Sequence, residues 1–330
     1  MNDQMLIDRF HRHINYLRIS ITDRCNLRCG YCVPRETIPK LSHQDILTYE
    51  EILRIVRVGT RMGISKIRVT GGDPLVRKGV YRFLKDLADL PGIDDVSLTT
   101  NGVFLRDNIH RIADAGIKRI NISMDTLNRE KYKKLTGFDY FDRVWEGIEN
   151  ARELGFSPIK LNVVALRDIN DDELTDLAAL SYTRSYHIRF IEYMPIGTRD
   201  LNDPSPLLTP EIKERIEQLG TLTPVKGRNY DGPARRFKLK GAKGEIGFIS
   251  AMSHHFCDTC NRLRLTADGQ LRPCLLSDLQ EDIKKRLRSG SSDRELSDIL
   301  LKVVRHKQSA HHLAMRDRVR IQGQMSNIGG

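Results

Sequence analysis

No apolar run in the 330-residue chain approaches the length needed to span a bilayer, and its start, Met1-Asn2-Asp3-Gln4, lacks the basic-then-apolar layout of a secretion signal. These absences argue against a membrane partner and predict a cytoplasmic protein. Aromatic residues are scarce, at 6% with a single tryptophan, Trp145, and they are not interleaved with the basic residues. The stacking surface that a nucleic-acid-binding module needs is therefore missing. In a reducing compartment the six cysteines serve as metal ligands or catalytic groups rather than disulfides, and the sequon Asn121-Ile122-Ser123 is inert. The most informative absence is a fourth cysteine near Cys25, Cys29 and Cys32.

Soft thiolates select iron-sulfur clusters, zinc or Cu(I), and a four-iron cluster held by only three cysteines keeps one iron open for something other than protein. A zinc site completed by a distant histidine such as His43 is the alternative, although zinc sites usually arrive as paired C-x2-C units. The other three cysteines, Cys257, Cys260 and Cys274, form a second triplet, which also fits a Cys3His zinc site with His254 or His255. Arg262 and Arg264 follow Cys260 and alternate along a predicted strand, so both guanidiniums point to one face. That arrangement suits phosphate recognition, against the plainer alternative of a solvated strand face. The net charge of +11 favours a polyanionic partner without choosing among nucleic acid, membrane surface and phosphorylated small molecule.

Short β-branched runs alternate with amphipathic helical stretches over the first two-thirds of the chain. The predicted strands are Leu17–Ile21, Lys66–Thr70, Val96–Thr100, Arg119–Met124, Lys160–Ala165 and His187–Glu192. Between the first two, Thr48 and Glu51 have capping-box spacing at the head of a helix that reaches Met62. Six βα units imply a parallel sheet covered by helices, and both an open doubly wound sheet and a barrel fit the pattern. Polar clusters fall at the carboxyl ends of the strands: Asp23 to Cys32, Gly71-Gly72-Asp73-Pro74, Thr99 to Gly102, Asp125-Thr126 and Met194-Pro195. This favours a partial (βα)6 TIM-like barrel of the α/β class, too short for an eight-fold ring. After about Thr221 the pattern changes to short strands with glycine turns over 235–250, a hairpin around Asp268-Gly269 and two basic helices, roughly 280–288 and 293–307. The division expected is a core of residues 8–230 and a smaller α+β domain of residues 231–330 that closes the barrel mouth.

The spacing Cys25-x3-Cys29-x2-Cys32, with Tyr31 before the last cysteine, resembles the signature of radical S-adenosylmethionine enzymes. Gly71-Gly72-Asp73-Pro74 resembles the methionine-ammonium motif of the same superfamily. The run from Phe256 to Gly269, closing at Leu271-Arg272-Pro273-Cys274, narrows the resemblance to the GTP 3′,8-cyclases of molybdenum cofactor biosynthesis, over essentially the whole chain from Asp8 to Gly330. The resemblance implies two [4Fe-4S] clusters, one on each triplet, and S-adenosylmethionine bound by the first. It implies a cofactor site lined by Tyr31, Gly72, Asp73, Ser123, Arg189 and Met194. It also implies that Arg18, Arg68, Thr99, Lys160, Arg262, Leu263 and Arg264 hold GTP. Catalytic roles fall to Arg18, Arg262, Arg264 and the tail glycines Gly329 and Gly330. The partners implied are a flavodoxin- or ferredoxin-type electron donor and a downstream pyranopterin-forming enzyme, and a homodimer is compatible with the sequence. One departure is Asp73, where the family usually has glutamate; the reach to the ammonium falls by roughly a bond length. Rival readings are a radical enzyme acting on a peptide or RNA and a zinc-containing nucleic-acid module.

Overall fold

Along six strands the sequence alternates a polar or cationic residue with an apolar one, and the two sets face opposite ways. The computed structural model describes residues 4–32, 40–197, 206–227, 232–311, 321–322 and 324–329. Its strands β1 (Tyr16–Ser20), β2 (Lys66–Thr70), β3 (Asp95–Thr100), β4 (Arg119–Ser123), β5 (Ile159–Ala165) and β6 (His187–Glu192) lie within a residue or two of those predicted. Residues such as Leu17, Ile19, Ile67, Val69, Ile120, Ile122, Leu161, Ile188 and Phe190 face one way and join the buried core. Helices cover that face: α1 (Tyr49–Arg61), α2 (Val80–Ala88), α3 (Leu105–Asp114), α4 (Arg129–Thr136), α5 (Phe141–Glu153) and α6 (Leu174–Thr183). The reciprocal Thr48–Glu51 capping box opens α1, as the spacing predicts, and Ile52, Ile55, Val56 and Val58 form its buried stripe.

The chain continues through α7 (Thr209–Glu217), β7 (Leu222–Pro224), β8 (Arg235–Leu239), β9 (Glu245–Ile249), β10 (Arg262–Leu265), β11 (Gln270–Arg272), β12 (Glu281–Asp282), α8 (Ile283–Arg288), α9 (Asp293–Arg305) and α10 (Met325–Ile328). All twelve strands belong to one sheet, in the order β12-β11-β10-β1-β2-β3-β4-β5-β6-β9-β8-β7. Both β10, beside β1, and β9, beside β6, pair in parallel, so the parallel set has eight strands rather than six. The alternation missed these two because no helix separates β9 from β10. Residues 250–261 carry the chain from one edge of the parallel set to the other, a crossover long enough for parallel pairing. Antiparallel β7–β8 and β11–β12 flank the set, and no pairing joins β12 to β7 among the described residues. The sheet is therefore a partial, unclosed barrel. The segment after 230 builds no sheet of its own: β7, before the expected division, pairs with β8, after it. No helix of the described residues is long and apolar enough to cross a membrane.

Candidate active site

The inward parity of the strands builds a layered cationic wall. Arg18 lies opposite Arg264 on one side and Arg68 on the other, and Lys66 lies opposite Tyr16. Asn121 faces Lys160 across β4 and β5, and Asn162 faces Arg189 across β5 and β6. Arg18, Lys66, Arg68, Lys160, Arg189 and Arg264 are all buried. Burial and neighbouring cations oppose the charge of Arg18, Lys66, Lys160 and Arg264. Desolvation and then Arg264 hold Arg18 well below the ordinary guanidinium range, while desolvation and Arg262 bring Arg264 to about 10. Desolvation brings Lys66 to about 8, and desolvation with Arg189, Arg68 and Arg119 brings Lys160 to about 5. So many cations on one buried face are compensated when a polyanion enters.

Two cavities lie at this inner face, and the arginines line the second of them. The first, of about 1100 Å³ including its opening to solvent, is lined by Cys25, Cys29, Cys32, Tyr31, Gly71, Gly72, Thr99, Asn101, Ser123, Asp125 and Glu192, among others. The second, of about 980 Å³ including its opening to solvent, is lined by Cys257, Cys260 and Cys274 together with Arg18, Arg68, Arg189, Arg262 and Arg264. Asn162, Ile191 and Met194 belong to both. The two thiol triplets thus stand on either side of one shared seam.

The first triplet sits on a loop fastened to α4, where Arg28 N donates to Thr136 O at 2.8 Å and Gly30 N to Leu135 O at 3.2 Å. Asn101 Nδ2 and Leu27 N both approach Cys25 Sγ at 3.4 Å. Burial, with the neighbouring thiols, raises Cys29 well above the usual thiol range and Cys32 to about 12. A bound cation would offset that cost. Tyr31 donates its hydroxyl to Asp125 Oδ2 at 2.6 Å, tying the loop to the end of β4. The glycine pair packs backbone on backbone. Gly72 N donates to Thr22 O at 2.7 Å, and a Cβ on Gly72 would lie 2.4 Å from Arg24 O. Close packing against the ligand loop is thus the structural demand for glycine here, beyond the approach to a ligand.

Asp73 corrects a sequence expectation. Its carboxylate is fully buried and is not among the groups lining the first cavity. Oδ1 accepts from Leu75 N at 2.9 Å, and Oδ2 from Thr100 Oγ1 and Asn101 N, both at 2.7 Å. The shorter side chain caps its own turn and fastens the end of β3. Arg189 also departs from expectation: it lines the second cavity, near Asn121 Oδ1 at 3.4 Å, and so stands with the cations rather than with the first triplet. Thr99 lies on the first cavity instead of the second. Leu263 points into the core, leaving only its backbone to meet a ligand. Ser123 lies on the first cavity, Met194 on both, and Lys160 is buried among the cations.

In the second triplet, a 3-10 turn brings Cys260 N to Cys257 O at 3.0 Å, and the β10–β11 hairpin returns the chain to Cys274. Arg262 reaches Cys260 Sγ at 3.5 Å. Burial raises the Cys260 thiol, but Arg262 and Lys307 outweigh it and bring the group to about 6. A thiolate is therefore ready there at neutral pH. His255, with His311, places ring nitrogens within 4.8 Å of the Cys257 sulfur, so the zinc alternative retains a geometric basis. The tail enters the same region. Gly329, at φ +78°, offers its carbonyl to Arg264 Nη1, and a Cβ on it would lie 2.6 Å from Thr70 Cγ2. Gly330 lies outside the described residues.

Three participants were not singled out in the sequence. Asn162 keeps Oδ1 buried and without a hydrogen-bond partner among the described residues, on the seam itself. Glu192 accepts from Thr209 N, Met252 N and Ser253 N at 2.7–2.9 Å and from the Ser253 hydroxyl, tethering the end of β6 to the path toward the second triplet. Asn101 supports Cys25. Strand parity could have found Asn162, Asn101 fell within the polar cluster of Thr99 to Gly102 without a role of its own, and nothing local marked Glu192.

The sequence matches the family model of the radical SAM superfamily over residues 19–180 and that of the molybdenum cofactor synthesis C domain over residues 186–313. It is 49% identical to the GTP 3′,8-cyclase of Moorella thermoacetica, covering 98% of this chain and 99% of that one. The GTP 3′,8-cyclase of Thermodesulfovibrio yellowstonii is also 49% identical, over the same shares. Among solved structures, Streptococcus suis SuiB bound to S-adenosylmethionine superposes with a TM-score of 0.59 at 15% identity, covering 89% of this chain and 71% of that one. Native anSMEcpe with bound AdoMet gives 0.56 at 14% identity, covering 87% and 84%. At such identities these two structures speak to the fold alone.

Proposed function

From the premise that the chain belongs to the GTP 3′,8-cyclase family of radical S-adenosylmethionine enzymes, we propose how its two cavities divide the reaction. The enzyme cyclises GTP to (8S)-3′,8-cyclo-7,8-dihydroguanosine 5′-triphosphate, the first step of molybdenum cofactor biosynthesis. Its cofactors are S-adenosylmethionine and two [4Fe-4S] clusters. The donor sets suit them: each triplet offers three free thiols beside a roomy cavity, with no fourth cysteine in the chain to complete either set. Cys25, Cys29 and Cys32 would hold the first cluster and Cys257, Cys260 and Cys274 the second. When bound, the first supplies the electron that cleaves S-adenosylmethionine and the second an iron site for the guanine base.

The observation that carries this division is the shared seam: Asn162, Ile191 and Met194 wall both cavities, so a ribose from each ligand meets there. Gly71, Gly72, Ser123 and Met194 orient the cofactor, with Tyr31 and Asp125 holding the ligand loop against it. Arg18, Arg68, Lys160, Arg189, Arg262 and Arg264 bind the triphosphate and neutralise it as it leaves water. Asn162 Oδ1 accepts a ribose hydroxyl and so fixes the sugar for hydrogen abstraction at C3′. Gly329 reaches the same pocket through Arg264, which links the tail to the substrate's position. A flavodoxin- or ferredoxin-type donor and a pyranopterin-forming enzyme flank the reaction.

The test is anaerobic turnover with GTP, S-adenosylmethionine and a strong reductant. We expect 5′-deoxyadenosine formation that depends on GTP, and its loss in Cys25→Ala. Cofactor cleavage indifferent to GTP would favour another substrate, and zinc without iron in an anaerobic preparation would sink the radical reading.

A further inference from the structure

Two buried cations remote in sequence fasten the three peptides that carry the second triplet. The ammonium of Lys307, just after α9, donates to the carbonyls of Arg262 at 3.0 Å and Pro273 at 2.6 Å. Arg262 lies two residues after Cys260, and Pro273 immediately precedes Cys274, so one side chain ties the peptides of both thiols. Arg12 donates to the carbonyl of Cys257 itself at 2.6 Å, and to those of Gln308 at 2.6 Å and Ser309 at 3.2 Å. The third thiol is thereby joined to the residues that follow Lys307. Asp8 aims this clamp, its Oδ2 accepting from Arg12 Nε at 2.6 Å and its Oδ1 from Arg12 N at 3.0 Å.

Neutral donors could satisfy the same carbonyls. What calls for a cation at Lys307 is the charge opposite it, whereas Arg12 already has Asp8. Lys307 is 3% exposed, and among the described residues its bonds go to carbonyls and none to a carboxylate. A buried ammonium so placed is costly unless an anion lies beside it. The groups beside it are thiols: Arg12, Lys307, Cys257, Cys260 and Cys274 line one small cavity. Resting on the assignment of the second cluster to these cysteines, we propose that Arg12 and Lys307 are positioning residues for that cluster. Both fix its ligand peptides, and Lys307 supplies the positive charge against which it is held, since the charge of Arg12 is already balanced by Asp8. Positive charge beside a cluster favours its more reduced, more negative state, so the pair sets the retention of the cluster and Lys307 its reduction potential.

The full-length chain carrying Cys25→Ala, Cys29→Ala and Cys32→Ala confines iron to the second triplet. In this parent we would measure iron and sulfide after anaerobic reconstitution, loss of iron to a chelator, and the midpoint potential by EPR-monitored titration. Lys307→Met is expected to weaken retention by roughly 10- to 100-fold, the usual effect of losing an outer-shell partner, and to move the potential to more negative values. Lys307→Arg should restore the potential, which a merely structural role would not require. Arg12→Gln tests the Cys257 side independently and should weaken retention, including where Lys307→Met does not yield folded protein. Parent-like retention in Arg12→Gln, or parent-like retention and potential in a folded Lys307→Met, overturns the proposal. A parent that takes up no iron overturns the cluster assignment instead, so the two failures are distinguishable.

Discussion

Arg18 of β1 and Arg264 of β10 stand directly opposite each other in parallel register, two buried guanidiniums with a third, Arg68, on the far side of Arg18. Each makes the other's charge harder to keep, and the pairing exists only because the last strand of the parallel set returns to lie beside the first. The molecule accepts that repulsion at the place where a triphosphate is expected to supply the opposite charge.

Arg264→Ala should therefore separate binding from folding. We expect GTP affinity to fall by about 30-fold or more, corresponding to roughly 2 kcal/mol, because a buried charged contact and the tether to Gly329 are lost together. Thermal stability of the free protein should hold or rise, since Arg18 is relieved. Equilibrium binding of GTP beside a melting curve reads both, while the first cluster's spectrum should stay unchanged. Unaltered GTP affinity would count against the assignment.

Lys160 makes GTP binding a proton-coupled event. Burial and the surrounding Arg189, Arg68 and Arg119 hold it at about 5, so it is neutral in the free protein at pH 7. A bound triphosphate raises that value, so a proton is taken up on binding and affinity declines as pH rises through neutrality. Calorimetry in two buffers of different ionisation enthalpy should register the uptake; heats independent of the buffer would refute it.

The same residue carries a stability cost of known sign. Its folded value lies below the unfolded one, so the unfolded chain binds more protons between them. The cost is fullest below about pH 5 and eases as pH rises toward the ordinary lysine range. Lys160→Met should melt higher at neutral pH, at about 2–4 °C per kcal/mol for larger domains, and bind GTP less tightly. A lower melting temperature would show that Lys160 is compensated within the free protein.

Asp73→Glu looks harmless in the sequence, where it restores the family's usual residue and should preserve or improve cofactor binding. The structure reverses that expectation. Three donors already saturate the carboxylate in a fully buried site, and an extra methylene there should cost about 1–3 kcal/mol. A lower melting temperature with weaker S-adenosylmethionine binding is the expected result; tighter binding at unchanged stability would return Asp73 to the role of ammonium ligand.

Gly329→Ala should expel the tail. The residue sits at positive φ, and an added Cβ would lie 2.6 Å from Thr70 Cγ2 and 3.1 Å from Ser20 Cβ. Product formation should drop while both clusters keep their iron. Iron analysis beside product assay reads this, and full cyclisation in the variant would make the tail dispensable.

What could be read from the sequence was what strands and local motifs write into consecutive residues. Alternation placed six strands within a residue or two, and cysteine spacing announced both triplets; Arg18, Arg68 and Lys160 came from the family resemblance. The remainder is non-local. The parallel pairing of β9 and β10 had no helix to announce it, and the clamp of Arg12 on Cys257 joins residues 245 positions apart. Arg189 and Thr99 exchanged cavities because a motif names a residue without saying which side of a seam its side chain meets. Asp73 misled because its chemistry suits an ammonium and a turn equally well, and only the donors folded around it decide.

A wall held in common by two cavities also makes their occupants thermodynamic partners. With the ligands placed as proposed, any adjustment of Asn162, Ile191 and Met194 to one alters the surface offered to the other, so the affinity for GTP is expected to change when S-adenosylmethionine is bound. Linkage then fixes the converse: the affinity for S-adenosylmethionine changes by the same factor when GTP is present. Coupling of this kind would join fuel to substrate before any electron arrives and give the enzyme a way to favour cleaving its cofactor when there is something to cyclise.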